Sequence, residues 1–98
     1  MIRSFRDRRS ETFGLGGDVP AFRGFREQAR KRFRILDAAT GLRDLRALPS
    51  NRLEALKGRR KGQWSIRVNL QWRICFEWPD GAPGPSNVEI VDYHDEQD

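Results

Sequence analysis

An α+β fold is predicted for this chain, with two N-terminal helices packed on one face of a small, mainly antiparallel β-sheet. Three observations lead there. Apolar residues alternate with polar ones from Trp64 to Phe76, the period of half-buried strands. Phe22, Phe25, Ala29, Phe33 and Leu36 recur at helical spacing and form one apolar stripe. The order strand, helix, helix, strand, strand, strand then places the helices on one side of the sheet. With 98 residues, the chain is read as one domain, residues 1–98, whose core must be small.

Taken in order, Ile2 to Phe5 reads as a short first strand. Arg6 to Gly17 is polar and glycine-rich and is expected to be a mobile loop. A helix begins near Asp18 as N-cap, with Pro20 tolerated in its first turn. Arg23, Arg30, Lys31 and Arg34 lie largely off its apolar stripe, and Glu27 and Lys31 form a favourable pair one turn apart. A second helix fits Thr40 to Leu48, capped by Thr40, with Leu42, Leu45 and Leu48 facing in and Pro49 ending it. Asn51 to Gln63 carries a dense basic cluster. Trp78 to Gly81 starts a turn, Gly81 to Ser86 is a linker, and Asn87 to Tyr93 forms the last strand. The acidic residues Asp95, Glu96 and Asp98 follow it.

The hairpin register can be derived. A two-residue turn would set Arg67 opposite Trp72 and mix the two faces. A three-residue loop, Asn69-Leu70-Gln71, instead pairs Val68 with Trp72, Ile66 with Ile74 and Trp64 with Phe76. It also sets Arg67 across from Arg73. Like charges opposite each other destabilise a sheet; either an anion bridges them or both splay into water.

The formal net charge is +5 and the sequence pI is about 10.3, which favours a polyanionic partner. A single cysteine, Cys75, excludes an intramolecular disulfide. One Cys and one His cannot close a zinc site, so no metal or other cofactor is expected. The N-terminus lacks the apolar segment of a signal peptide and no stretch reaches membrane-spanning length, so a cytoplasmic protein without membrane contact is expected.

Several ordered motifs resemble a known family. Asn51-Arg52-Leu53-Glu54-Ala55-Leu56-Lys57-Gly58, Gly62 to Asn69, Gln71 to Phe76 and Val88 to His94 look like the HigB-type "killer" toxins of the RelE/ParE superfamily of type II toxin–antitoxin systems. The resemblance covers nearly the whole chain and is weakest across Arg6 to Gly17. It implies a RelE-like fold and a growth inhibitor neutralised by a cognate helix-turn-helix antitoxin of the HigA type, with operator DNA reached only through that antitoxin. It further implies a ribosome-dependent endoribonuclease that cuts mRNA in the A site. By position, Arg73 matches the arginine that stabilises the scissile phosphate, Asp92, Tyr93 and His94 match the C-terminal catalytic set, and Lys57 matches a lysine near the site. Two departures stand out: Glu54 occupies a position where some relatives have histidine, and the chain continues four residues past His94.

The residue chemistry suits that implication. Metal-free RNA cleavage requires removing a 2′-hydroxyl proton, stabilising a crowded phosphorane and protonating the departing 5′-oxygen. Arginine binds phosphate oxygens with a planar fork and keeps its charge, so Arg73 takes the middle task with Arg67 as helper. His94 is the one side chain whose unperturbed pKa lies near neutrality and, with Asp92 and Asp95 nearby to favour its protonated form, is the candidate acid. Glu54 is then the candidate base, provided that it is buried. Lys57, Arg59, Arg60 and Lys61 are candidate RNA-binding cations. Consecutive strand residues face opposite ways, so Asp92, Tyr93 and His94 cannot all line one site unless the strand ends or bends. The alternative is a non-nucleolytic inhibitor that binds a protein target such as gyrase, or the mature or assembling ribosome.

Overall fold

The computed structural model describes residues 1–93. Three α-helices precede four strands: α1 (Arg8–Gly14), α2 (Arg26–Ala38), α3 (Leu42–Arg46), β1 (Glu54–Ala55), β2 (Trp64–Arg67), β3 (Trp72–Glu77) and β4 (Ser86–Asp92). The strands form one antiparallel sheet in the order β1-β2-β3-β4. Ile66, Ile74, Phe76, Val88 and Ile90 point from it toward Phe13, Phe22, Phe25, Phe33, Leu36 and Leu45 of the helical layer. Every residue of the predicted helical stripe is buried.

The hairpin has the derived register: Trp64 pairs with Phe76, Ile66 with Ile74 and Arg67 with Arg73. The Asn69 carboxamide oxygen accepts from the Gln71 and Trp72 amides, both at 2.8 Å, which closes the loop by side-chain mimicry of a turn. Between β3 and β4 the register slips by one residue near Glu77. Asn87 sits there with φ 52°, a left-handed position that Asn tolerates. Beyond the slip, in the regular register, alternation turns Val88 and Ile90 into the core and leaves Glu89 and Val91 on the opposite face.

Several sequence expectations are corrected. Arg6 to Gly17 contains α1 rather than an open loop. The Asp7 carboxylate caps it by accepting from the Ser10 amide at 2.8 Å. Gly16, at φ 98°, lets the chain leave, and Arg30 gathers the Phe13 and Gly17 carbonyls while lying 3.9 Å over the Phe13 ring. Ile2 to Phe5 forms only a parallel bridge, Phe5 to Val88, although Arg3, Val88 and Arg6 complete strand-like hydrogen bonds around it. The helix expected from Asp18 begins as a 3-10 turn, Pro20–Phe25, before α2. Asp18 makes no cap and instead pairs with Arg23. The α3 helix is capped by Gly41, not Thr40, and Leu48 is 39% exposed. Strand β1 was not anticipated.

Edges of a sheet need cover. On β4, the buried Ser10 hydroxyl accepts from the Ile90 amide at 3.0 Å, so α1 satisfies a backbone group that no strand reaches. Ser10→Ala would orphan that amide and should cost about 1–3 kcal/mol in urea unfolding; a change within error would discount the contact. A second expectation concerns acid. The Asp44 carboxylate accepts from the Thr40 amide and hydroxyl, both 2.8 Å away, and these bonds, the amide first, hold its pKa below the ordinary 3.8. A depressed folded pKa adds stability above 3.8 that disappears as pH falls through the folded value. Thr40→Ala should therefore raise the Asp44 midpoint in an NMR titration.

Candidate active site

The sheet face turned away from the helices is built by alternation. Ser65 and Arg67 of β2, Arg73 and Cys75 of β3, and Glu89 and Val91 of β4 all lie on it, and Tyr93 continues that parity. Glu54, paired with Ser65, adds a carboxylate at the β1 side. Beyond β1 the chain arches to β2 through a 3-10 turn, Gly58–Arg60. Gly58 and Gly62, at φ 63° and 95°, make the two bends. The Leu56 amide donates to the Gln63 carbonyl at 2.9 Å across the base of the arch.

Arch and sheet enclose a cleft of about 450 Å³, lined by Glu54, Lys57, Arg59 and Arg60 above and by Ser65, Cys75, Val91 and Tyr93 below. Arg60 ties the two together. Its guanidinium donates to Glu89 at 2.7 Å and to Gln63 at 2.9 Å. Glu89 is buried and is also approached by Arg6 at 3.8 Å. This buried carboxylate fixes the height of the arch; Arg60 is an anchor first and a cleft cation second.

Arg73, 7% exposed, sits at the centre of the face. Its Nε donates to the Ser65 hydroxyl at 2.7 Å and one terminal nitrogen donates to the Arg52 carbonyl at 2.7 Å. Glu54 stands 3.9 Å from that same nitrogen, and the Tyr93 ring lies 5.2 Å from the guanidinium carbon. Burial is the largest influence and pushes the Arg73 pKa down; Glu54 opposes it first, then Tyr93 and Cys75, while Arg67 reinforces it. Arginine stays charged even so. Opposite it, Arg67 donates to the Asn69 carbonyl at 3.3 Å. Separate carbonyl acceptors thus serve the two facing arginines, and Arg67 does not line the cleft.

The structure gathers Glu54, Lys57, Arg59, Arg60 and Tyr93 around one cleft, with Arg73 beside Glu54 and Tyr93. Lys61 is exposed on the arch and is not part of the lining. Asp92 pairs with Trp72 on the other parity, and its carboxylate accepts from the Gln71 side chain at 2.8 Å. His94 lies outside the described residues. Glu54 is exposed, so the burial that its reading as a base required is absent. Ser65, Glu89 and the Arg52 carbonyl were missed by sequence reasoning. Ser65 was recoverable, since a small hydroxyl shares the face of Arg67 beside Arg73; a backbone carbonyl leaves no such signal.

Fold and cleft together define a small basic α+β protein whose sheet carries a cation-lined cleft, with one buried arginine, Arg73, behind its Ser65, Glu54 and Tyr93 walls rather than in the lining itself. Residues 4–96 match the family described as the RelE-like toxin of type II toxin–antitoxin system HigB. The chain belongs to this HigB-like toxin family, whose members are paired with an antitoxin. It is 34% identical over 97 residues to Endoribonuclease HigB of Proteus vulgaris, covering 96% of this chain and 100% of that protein. It is 53% identical over 52 residues to Toxin HigB-1 of Vibrio cholerae serotype O1, covering 53% of this chain and 55% of the Vibrio protein. The matched stretch therefore spans about half of the latter's length. A YoeB/ParE toxin from Agrobacterium tumefaciens aligns over 92% of this chain and 93% of its own, with TM-score 0.48 and 16% identity.

Removing the arch anchor should be visible without any activity assay. Glu89→Gln is expected to cost about 1–3 kcal/mol in thermal denaturation. It should also speed amide exchange selectively from Gly58 to Gly62. Unchanged exchange there would mean that the arch is held by other contacts.

Proposed function

We propose that this chain is the single-domain toxin of a type II pair, cleaving messenger RNA in the ribosomal A site in the cytoplasm. The observation that carries the reading is Arg73, held by Ser65 and the Arg52 carbonyl next to the cleft that Lys57, Arg59 and Arg60 line. A fixed guanidinium suits the charge that develops on a phosphorane, and oriented donors act strongly where water is scarce. The full-length similarity to a protein named Endoribonuclease HigB supports the same chemistry.

In this reading the message's 2′-hydroxyl attacks the adjacent phosphorus while its proton passes to a base. The 5′-oxygen leaves and takes a proton from an acid, giving a 2′,3′-cyclic phosphate and a 5′-hydroxyl. Arg73 binds the nonbridging oxygens. Glu54, 3.9 Å from Arg73, is the carboxylate in reach of the site for the first transfer; its exposure leaves water as a competing acceptor. The Tyr93 ring, beside the guanidinium, offers a base-stacking surface at the cleft wall. The acid is assigned to His94 through the family resemblance, and Asp92, on the opposite parity, acts on the site only through neighbouring residues. Lys57 and Arg59 grip flanking phosphates, while Arg67 and Lys61 contribute to the field from outside the lining. The antitoxin partner is a helix-turn-helix protein of the HigA type, through which operator DNA is reached.

Cleavage of a defined message, mapped by primer extension in a purified translation system, tests the reading. The wild-type chain should cut only with ribosomes present, in codon register, and Arg73→Ala should lose about 10²–10³-fold in rate. Cuts that persist at full rate in Arg73→Ala would remove Arg73 from the chemistry. A toxic, folded protein that makes no cuts would sink the nuclease assignment.

A further inference from the structure

The orientation of Arg73 depends on a backbone carbonyl, and that carbonyl has an unusual origin. Arg52 has φ 49° and ψ 48°, a left-handed conformation that side-chain-bearing residues seldom adopt. It follows the 3-10 turn Pro49–Asn51 and reverses the chain just before Glu54 enters β1. In this conformation its carbonyl accepts from Arg73 at 2.7 Å.

The turn is held by the residue before it. Asn51 is wholly buried, and both ends of its carboxamide are used. The amide nitrogen donates to the Leu45 carbonyl of α3 at 3.0 Å, and the oxygen accepts from Arg32 of α2 at 2.8 Å. Arg32 also donates to the Ser50 hydroxyl at 3.3 Å. The Asn51 and Arg52 amides close back on Leu48 and Pro49 at 3.0 and 3.1 Å. A two-way polar clamp thus connects α2 and α3 to the turn, and the turn reaches the site through one carbonyl. On Arg73, Ser65 and Arg52 occupy Nε and one terminal nitrogen, while the other terminal nitrogen, Nη1, has no hydrogen bond among the described residues.

We propose that Asn51 is a positioning residue for the phosphate-binding arginine. By locking Arg52 in its left-handed turn, it sets the plane of the Arg73 guanidinium and leaves Nη1 for a phosphate oxygen. The Arg52 backbone, not its cationic side chain, transmits the effect. The kinetic part rests on the nuclease reading; the geometric part stands on the hydrogen bonds alone.

Two measurements test it on the full chain. The first is ¹⁵N NMR of the arginine Nε–H groups. Arg73 Nε–H, bonded to Ser65, should give a resolved and slowly exchanging signal. Asn51→Asp keeps the size of the side chain but removes the donor to Leu45; Arg52→Val places a β-branched residue where φ is positive. In both, the Arg73 signal should broaden or exchange at least tenfold faster, with the core amide spectrum retained. Arg52→Gly, which accepts the left-handed turn but lacks the cation, should restore the slow exchange lost in Arg52→Val. An undisturbed Arg73 signal in Asn51→Asp and Arg52→Val, or no restoration by Arg52→Gly, overturns the proposal.

The second measurement is cleavage kinetics on programmed ribosomes. Asn51→Asp and Arg52→Val should lower kcat about tenfold or more with KM changed less than threefold, and Arg52→Gly should recover most of the loss. In an Arg73→Lys background, where no fork remains to orient, Arg52→Val should add less than a twofold effect. A full additional tenfold there would show a general packing defect and reject positioning. If the wild-type chain makes no cuts, the nuclease reading fails, and the NMR arm still decides whether Asn51 positions Arg73.

Discussion

Arg73 keeps only 7% of its surface exposed, yet a guanidinium cannot shed its charge to suit a dry site. Each of its N–H groups therefore needs an acceptor or a ligand. Ser65 answers from the neighbouring strand, and Arg52 answers from a turn outside the sheet. Glu54 supplies opposite charge at a distance too long for a close ion pair. Much of the site's architecture follows from that one desolvated cation. The short strand β1 matters because it brings both Glu54 and the Arg52 turn alongside Ser65.

The arginines of this chain do different kinds of work, and net charge alone does not separate them. Arg30 binds the end of α1, Arg32 holds the buried Asn51, Arg6 pairs with Glu77, and Arg60 is anchored on Glu89. These guanidiniums cross-link elements that have few apolar residues to share. Planar forks with several donors suit that task better than lysine does. Lys57 and Arg59 border the cleft, as Arg60 also does. A basic composition here reflects scaffold as well as ligand preference.

The register of β2 against β3 was legible because alternation and a buried face leave one consistent pairing, and Arg67 opposite Arg73 followed from it. The helical stripe was legible for the same reason. Helix α1 was not, because Phe13 and Ser10 are its only buried residues and glycines follow closely. Asp7, its N-cap, is the one local mark of where it starts. Strand β1 has two residues and exists only because Ser65 and Trp64 offer partners; no local pattern encodes that. Within the site, cations and aromatics could be named from type and spacing. The burial of Glu89 and the reach of the Arg52 carbonyl depend on contacts distant in sequence. The exposure of Glu54 shows the same limit from the other side.

The edge of β4 carries a further meaning in time. Its outer partners come from the first ten residues: Ser4 bonds to Asn87 across 83 positions, and Ser10 bonds to Ile90 across 80. Such closures are slow, since loop entropy is lost before the contact is gained. A nascent chain emerging N-terminus first would carry its helices and the Arg73 hairpin well before Glu89, Val91 and Tyr93 existed to complete the cleft wall. The helical layer can collapse early, but the site is assembled last. A toxin folded in this order carries no complete cleft wall until β4 and Tyr93 have been translated.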